Sequence, residues 1–157
     1  MKYFSLIVTL ALTLSSSVWA LSSLPNGQWT GKGTYTTDDG KTGSYSVEVV
    51  LQDNQVTHTV VMDGKTYKNV AQITLDANGF GSATTTYTAP DGTVKNGNEQ
   101  VACGDHHCSF WDSAEHFGTT VSFTDDKAWS FGGVETGNVK VRFEDTLNKV
   151  SLIQTEK

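Results

Sequence analysis

The stretch NGQWTGKGTY, Asn26 to Tyr35, sets Gly27, Gly31 and Gly33 at every second position around Trp29. With the period of two of a β-strand, Trp29, Gly31, Gly33 and Tyr35 fall on one face, so a bulky ring is followed by two positions without a side chain. Glycine inside a strand weakens it, unless the strand bends sharply there or another backbone or a ligand passes close by. A first strand built this way, from about Gln28 to Thr37, suits a small barrel closed at one end by the tryptophan.

Upstream, residues 1–20 read MKYFSLIVTLALTLSSSVWA: Lys2, an apolar run from Phe4 to Leu14, then Val18 and Ala20 before a cut. This is the pattern of a secretory signal peptide cleaved after Ala20. The apolar run is short for a bilayer span, and no cysteine follows the cut to take a lipid, so no membrane anchor is expected. The expected location is periplasmic or secreted, with residues 21–157 forming a single domain. Loss of Lys2 moves the formal net charge from −6 to −7. An acidic domain without a basic cluster is a poor partner for nucleic acid or an anionic membrane surface.

Downstream, no sustained period of 3.6 appears, while runs rich in Thr, Val, Tyr and Phe alternate with Gly, Asp and Asn clusters. Ser44 to Gln52 places Tyr45, Val47, Val49 and Leu51 on one face, and Gln55 to Met62 does the same for Val56, His58, Val60 and Met62. Asp63-Gly64 is a tight turn into Lys65 to Asp76, because Asp-Gly accepts the positive φ of a two-residue hairpin. Phe80 to Thr88 follows, then a turn at Ala89-Pro90-Asp91-Gly92. Thr93 to Asn98 reads as a short strand or a loop. Glu99 to Cys103 and Cys108 to Asp112 read as a hairpin, and Glu115 to Thr124 as a strand. Lys127 to Phe131, Asn138 to Asp145 and Val150 to Thr155 complete the series.

The predicted fold class is all-β, an antiparallel up-and-down β-barrel of about 8–10 strands, since closure removes the two edges an open sheet would leave. A two-sheet sandwich is the rival. The short, regular turns and the absence of a long crossover favour the barrel.

The motif Gly27-x-Trp29 resembles the first strand of the calycin superfamily, the lipocalins and their relatives. Gly27-x-Trp29-x-Gly31-x-Gly33 resembles the nitrobindins, small haem-binding barrels. The lipocalin-like resemblance implies that Trp29 packs under the barrel floor against a basic side chain from a late strand, for which Arg142 is the candidate as the sole arginine. A guanidinium over an indole gains a cation–π contact. Strand alternation equally allows Arg142 on the polar side with Lys140 and Glu144. The nitrobindin resemblance implies a haem held by a histidine near the C-terminus, but no histidine follows His116. No cofactor is therefore expected, with haem as the alternative.

His58, among Val56, Val60 and Met62, is the foremost candidate ligand contact, because a few polar groups on an apolar wall orient a bound molecule. A core histidine bonded to a backbone carbonyl explains it as well. Tyr45, Tyr67, Tyr87, Phe117 and Phe123 are the aromatics expected to line the same space.

In CGDHHC, Cys103 to Cys108, the cysteines at the two ends of a hairpin meet as a disulfide and present Asp105, His106 and His107 at the tip. Zinc competes, through these cysteines or a looser set of His106, His107, His116 and Asp105, although so short a loop wraps one tetrahedral ion poorly. No metal site is assigned. Read as Cys-x-x-His-x-Cys, the loop is similar to the projecting loop of periplasmic lysozyme inhibitors, which implies a protein partner contacted by His106.

Asp112, Glu115 and His116 are the one compact group of acids and histidine outside that loop. A solvated connection explains them, and no catalytic residues are assigned. The leading expectation is an exported barrel that holds a small apolar or aromatic ligand without catalysis. The alternatives are an inhibitor or interaction module acting through the Cys103–Cys108 loop, and a calycin-type enzyme.

Overall fold

A computed structural model describes residue 24 and residues 26–114, 116–136 and 138–150. Ten strands follow one another: β1 (Gly27–Thr37), β2 (Thr42–Gln52), β3 (Gln55–Met62), β4 (Lys65–Leu75), β5 (Phe80–Thr88), β6 (Val94–Cys103), β7 (His107–Asp112), β8 (Phe117–Phe123), β9 (Lys127–Thr136) and β10 (Val139–Lys149). Each pairs antiparallel with its neighbours in sequence, and β1 closes the ring against β10 from Trp29↔Lys149 to Thr37↔Val141. The chain is an all-β, up-and-down closed barrel of ten strands. Closure satisfies the edge groups that a sandwich would leave unpaired.

Turn chemistry fixes the register at the β2–β3 and β3–β4 hairpins. Asp53 and Asn54, then Asp63 and Gly64, all have positive φ, from 51° to 71°. Two such residues match the right-handed twist of the flanking strands. With the register set, the alternation puts Trp29, Gly31, Gly33 and Tyr35 inside, beside Val49, Val47 and Tyr45 of β2.

Three strand boundaries differ from the sequence reading. Residues 94–103 form one strand, because the sheet is wet on both faces near its upper rim and tolerates Lys95, Asn96 and Asn98. β9 runs through Gly132 and Gly133 instead of stopping at Phe131. Gly132 is an interior position where a Cβ would lie 2.5 Å from the Gly118 carbonyl oxygen and 2.7 Å from the Phe143 ring. It marks a close approach and no break. β10 extends through Leu147, which is buried, to Lys149. The run Val150 to Thr155 lies almost wholly outside the described residues, as does the leader, residues 1–20.

The core sits at one end. Trp29, Leu51, Ile73, Val101, Cys108, Ala128 and Leu147 are buried, and Leu24 lies over them with its backbone N–H donated to Asn54 Oδ1 at 3.0 Å. At the opposite end Tyr35, Met62, Tyr67 and Phe117 are only half-buried and Tyr87 is exposed. The barrel is thus plugged at the Trp29 end, and its inner wall reaches solvent at the other.

Candidate functional site

At the plugged end, the Trp29 indole lies over Gly27, where a Cβ would sit 2.6 Å from the ring. Phe123 packs on it with ring centroids 5.9 Å apart, and Lys149 Nζ stands 5.8 Å from the ring centroid. The basic partner of Trp29 is therefore Lys149 and not Arg142. Parity decides this: Arg142 pairs with Thr36 on the outer face and is exposed, whereas Lys149 pairs directly with Trp29.

Midway along the barrel, Asp145 is 2% exposed and accepts hydrogen bonds from the Tyr45 hydroxyl and from Ser130 Oγ. Gly33 stands between Tyr45 and Asp145 in the ladder. A side chain there would occupy the space of the Tyr45 ring and the Asp145 carboxylate. Burial, then the adjoining carboxylate, push the Tyr45 phenol far above its ordinary pKa, so it stays a donor.

His58 occupies the inner face of β3, opposite Val49 of β2 and Asn69 of β4. Burial lowers its pKa, with the Asp145 charge opposing, and favours neutral imidazole. The inner-face residues Val56, His58, Val60 and Met62 are all half-buried rather than closed off. Asn69 Oδ1 is buried without a hydrogen-bond partner among the described residues. Such an acceptor costs about 1–3 kcal/mol until something donates to it. Asn69 was missed in the sequence, although the alternation that puts Tyr67, Ala71 and Ile73 on one face includes it.

A second polar pair lies on the same wall. Glu99 faces Ala83 in the ladder and comes next to Asp112, one step beyond Gln100↔Trp111. Burial, then the Asp112 charge, raise the Glu99 carboxyl to about 7. Asp112 also accepts from the Ala114 N–H at 2.8 Å.

Of the aromatics expected to line the interior, all five point inward by register, but they serve different places. Tyr45 is committed to Asp145, and Phe123 belongs to the Trp29 plug. Tyr67, Tyr87 and Phe117 ring the open end. The ladder links Asn69 directly to Tyr87.

Cys103 and Cys108 form the disulfide, which takes both thiols away from any zinc set. Asp105, His106 and His107 are exposed at its tip, outside the plugged end, and the loop is tied back by Phe123 N–H to the His106 carbonyl at 2.7 Å. His116 pairs with Glu135, Nδ1 to Oε2 at 3.3 Å. Glu115 lies outside the described residues. Haem by the nitrobindin route finds no fit, since the inner face of β10 carries Val141, Phe143, Asp145, Leu147 and Lys149, with no imidazole.

No protein-family profile and no curated protein matches this chain. Among solved structures it is similar to one described as "The Siderocalin Ex-FABP functions through dual ligand specificities", at 10% identity and a TM-score of 0.38, covering 83% of this chain and 76% of that one. The ten-strand closure itself defines the barrel.

Proposed function

We infer that this protein is an exported binding barrel that takes a small molecule with an apolar or aromatic body into its open half. The observation that carries this reading is the buried Asn69 Oδ1, without a hydrogen-bond partner among the described residues, directly opposite neutral His58 on the inner wall. Tyr67, Tyr87 and Phe117 supply apolar contact at the mouth, and neutral His58 with Asn69 gives the polar contact that orients the ligand. Burial of the ligand's apolar surface supplies the driving force.

Native mass spectrometry of the protein purified from its own host tests this. The expected result is an added small-molecule mass that His58→Ala or Tyr67→Ala diminishes. Ligand-free protein, with a co-purifying protein in its place, would overturn it. Edman sequencing of the mature chain is expected to begin at Leu21.

A second reading has its own support. The disulfide-closed tip with exposed Asp105, His106 and His107 is preorganised for a protein partner, which lowers the entropy cost of docking. Loss of partner capture by His106→Ala, with small-molecule binding intact, would favour it.

A further inference from the structure

The outer wall carries a concavity that the interior site does not use. One row of the ladder runs Trp111, Gly118, Gly133, Arg142 across β7, β8, β9 and β10. The next row brings Ser109, Thr120 and Phe131. With strands about 4.8 Å apart, Trp111 and Arg142 stand roughly 14 Å from each other. Between them lies a floor of two glycines without side chains. The concavity is shallow and open to solvent, with about 440 Å³ of space over its floor.

Its chemistry is specific. Trp111 and Phe131 are exposed, by 41% and 55%, and offer ring faces. Arg142 is the sole arginine of an acidic chain and has no ion-pair partner among the described residues. Glu144, two positions along the same face of β10, stands beside Phe131, so Arg142 is the cationic end of the groove and Glu144 lies at its side. A guanidinium prefers a carboxylate-like partner that it can grip with two parallel N–H donors, and an aromatic wall prefers a flat ring. Apolar walls, a floor without side chains and one placed charge fit a small flat ligand laid along the groove.

We propose that the outer groove between Trp111 and Arg142 binds a small planar aromatic molecule bearing a single carboxylate, which lies over Gly118 and Gly133. This site is separate from the barrel interior and stands whether or not the interior binds a ligand.

The test uses 2-naphthoate, with 2-naphthamide as its uncharged counterpart, titrated into isotope-labelled mature protein and followed by NMR. Naphthoate is expected to shift the Trp111 indole N–H and the amides of Gly118, Thr120, Gly133 and Arg142, leaving the Trp29 indole unmoved. Arg142→Gln, or naphthamide on the native chain, should weaken binding about tenfold or more. Gly118→Val fills the floor, and its Cβ meets nothing closer than 3.9 Å, so the variant should fold normally and lose binding. Shifts confined to inner-face residues such as His58 and Tyr67, no shifts at all, or unchanged affinity in a folded Gly118→Val protein would each overturn the proposal.

Discussion

Tyr45 donates its phenolic hydrogen to Asp145 inside the barrel, across the position where Gly33 has no side chain. The bond joins β2 to β10 through the strand between them and gives a buried carboxylate one of its two donors. Gly33 in the opening motif therefore makes room for a specific polar contact.

Gly33→Ala should destabilise the protein by about 1–3 kcal/mol, the usual cost of forcing extra volume into a packed interior. Tyr45→Phe keeps the ring and removes the donor, leaving Asp145 with Ser130 alone, and should also cost about 1–3 kcal/mol. Urea unfolding of both variants and of the double variant provides the check. Costs that simply add would contradict a shared site, because neighbours in one network couple.

Lys149 and Arg142 separate a structural cation from a surface one. Lys149→Ala removes the cation over Trp29 and should cost about 0.5–1 kcal/mol. Arg142→Ala should fall within about 0.5 kcal/mol of the native protein, as substitutions on an exposed face usually do. Trp29→Ala, which empties the plug, should cost about 3–5 kcal/mol. Denaturation midpoints rank the three.

Glu99 gives stability a pH slope of definite sign. Its folded pKa, about 7, stands above its ordinary 4.5, so the native state holds the proton more tightly than the unfolded chain. Stability from this group is full below pH 4.5 and is lost as pH rises toward 7. Glu99→Gln should abolish that decline. His58 acts oppositely: its lowered pKa gives stability that is present above 6.5 and falls as pH drops below it. In His58→Leu that acid-side loss should vanish, and urea unfolding as a function of pH reads both slopes.

Asn69→Leu exchanges an unpaired buried acceptor for an apolar group of similar size. The ligand-free variant should be more stable by about 1–3 kcal/mol, since the cost of desolvating the amide disappears. Its ligand occupancy, read by native mass spectrometry, should fall. A variant less stable than the native protein would show that Asn69 already has its partner.

Much of the fold is legible in the sequence. Asp63-Gly64 announced its hairpin through backbone preference alone, and the alternation in SYSVEVVLQ placed Tyr45, Val47 and Leu51 on the core side. The strand expected to end at Phe131 runs on through Gly132 and Gly133, because a glycine pair ends a strand as readily as it lets Phe143 approach one, and only the neighbouring strand distinguishes the two. Arg142 misled for a related reason. Its uniqueness in the composition said nothing of parity, and the two-residue period put it outside while Lys149, five strand positions beyond Glu144, met Trp29.

By itself the sequence determined what is local: the period of two, the two-residue turns, the disulfide pair across a hairpin and the inward face of each strand. These follow from φ and ψ preferences and from alternation, which need no distant partner. Tertiary structure alone decided which inner groups meet. Tyr45 and Asp145 are a hundred residues apart and become neighbours only when β10 closes on β1. The same closure sets His58 beside Asn69 on the inner wall, and brings Trp111 and Arg142 to opposite sides of a glycine floor, because the register of ten strands is fixed only once the ring is complete.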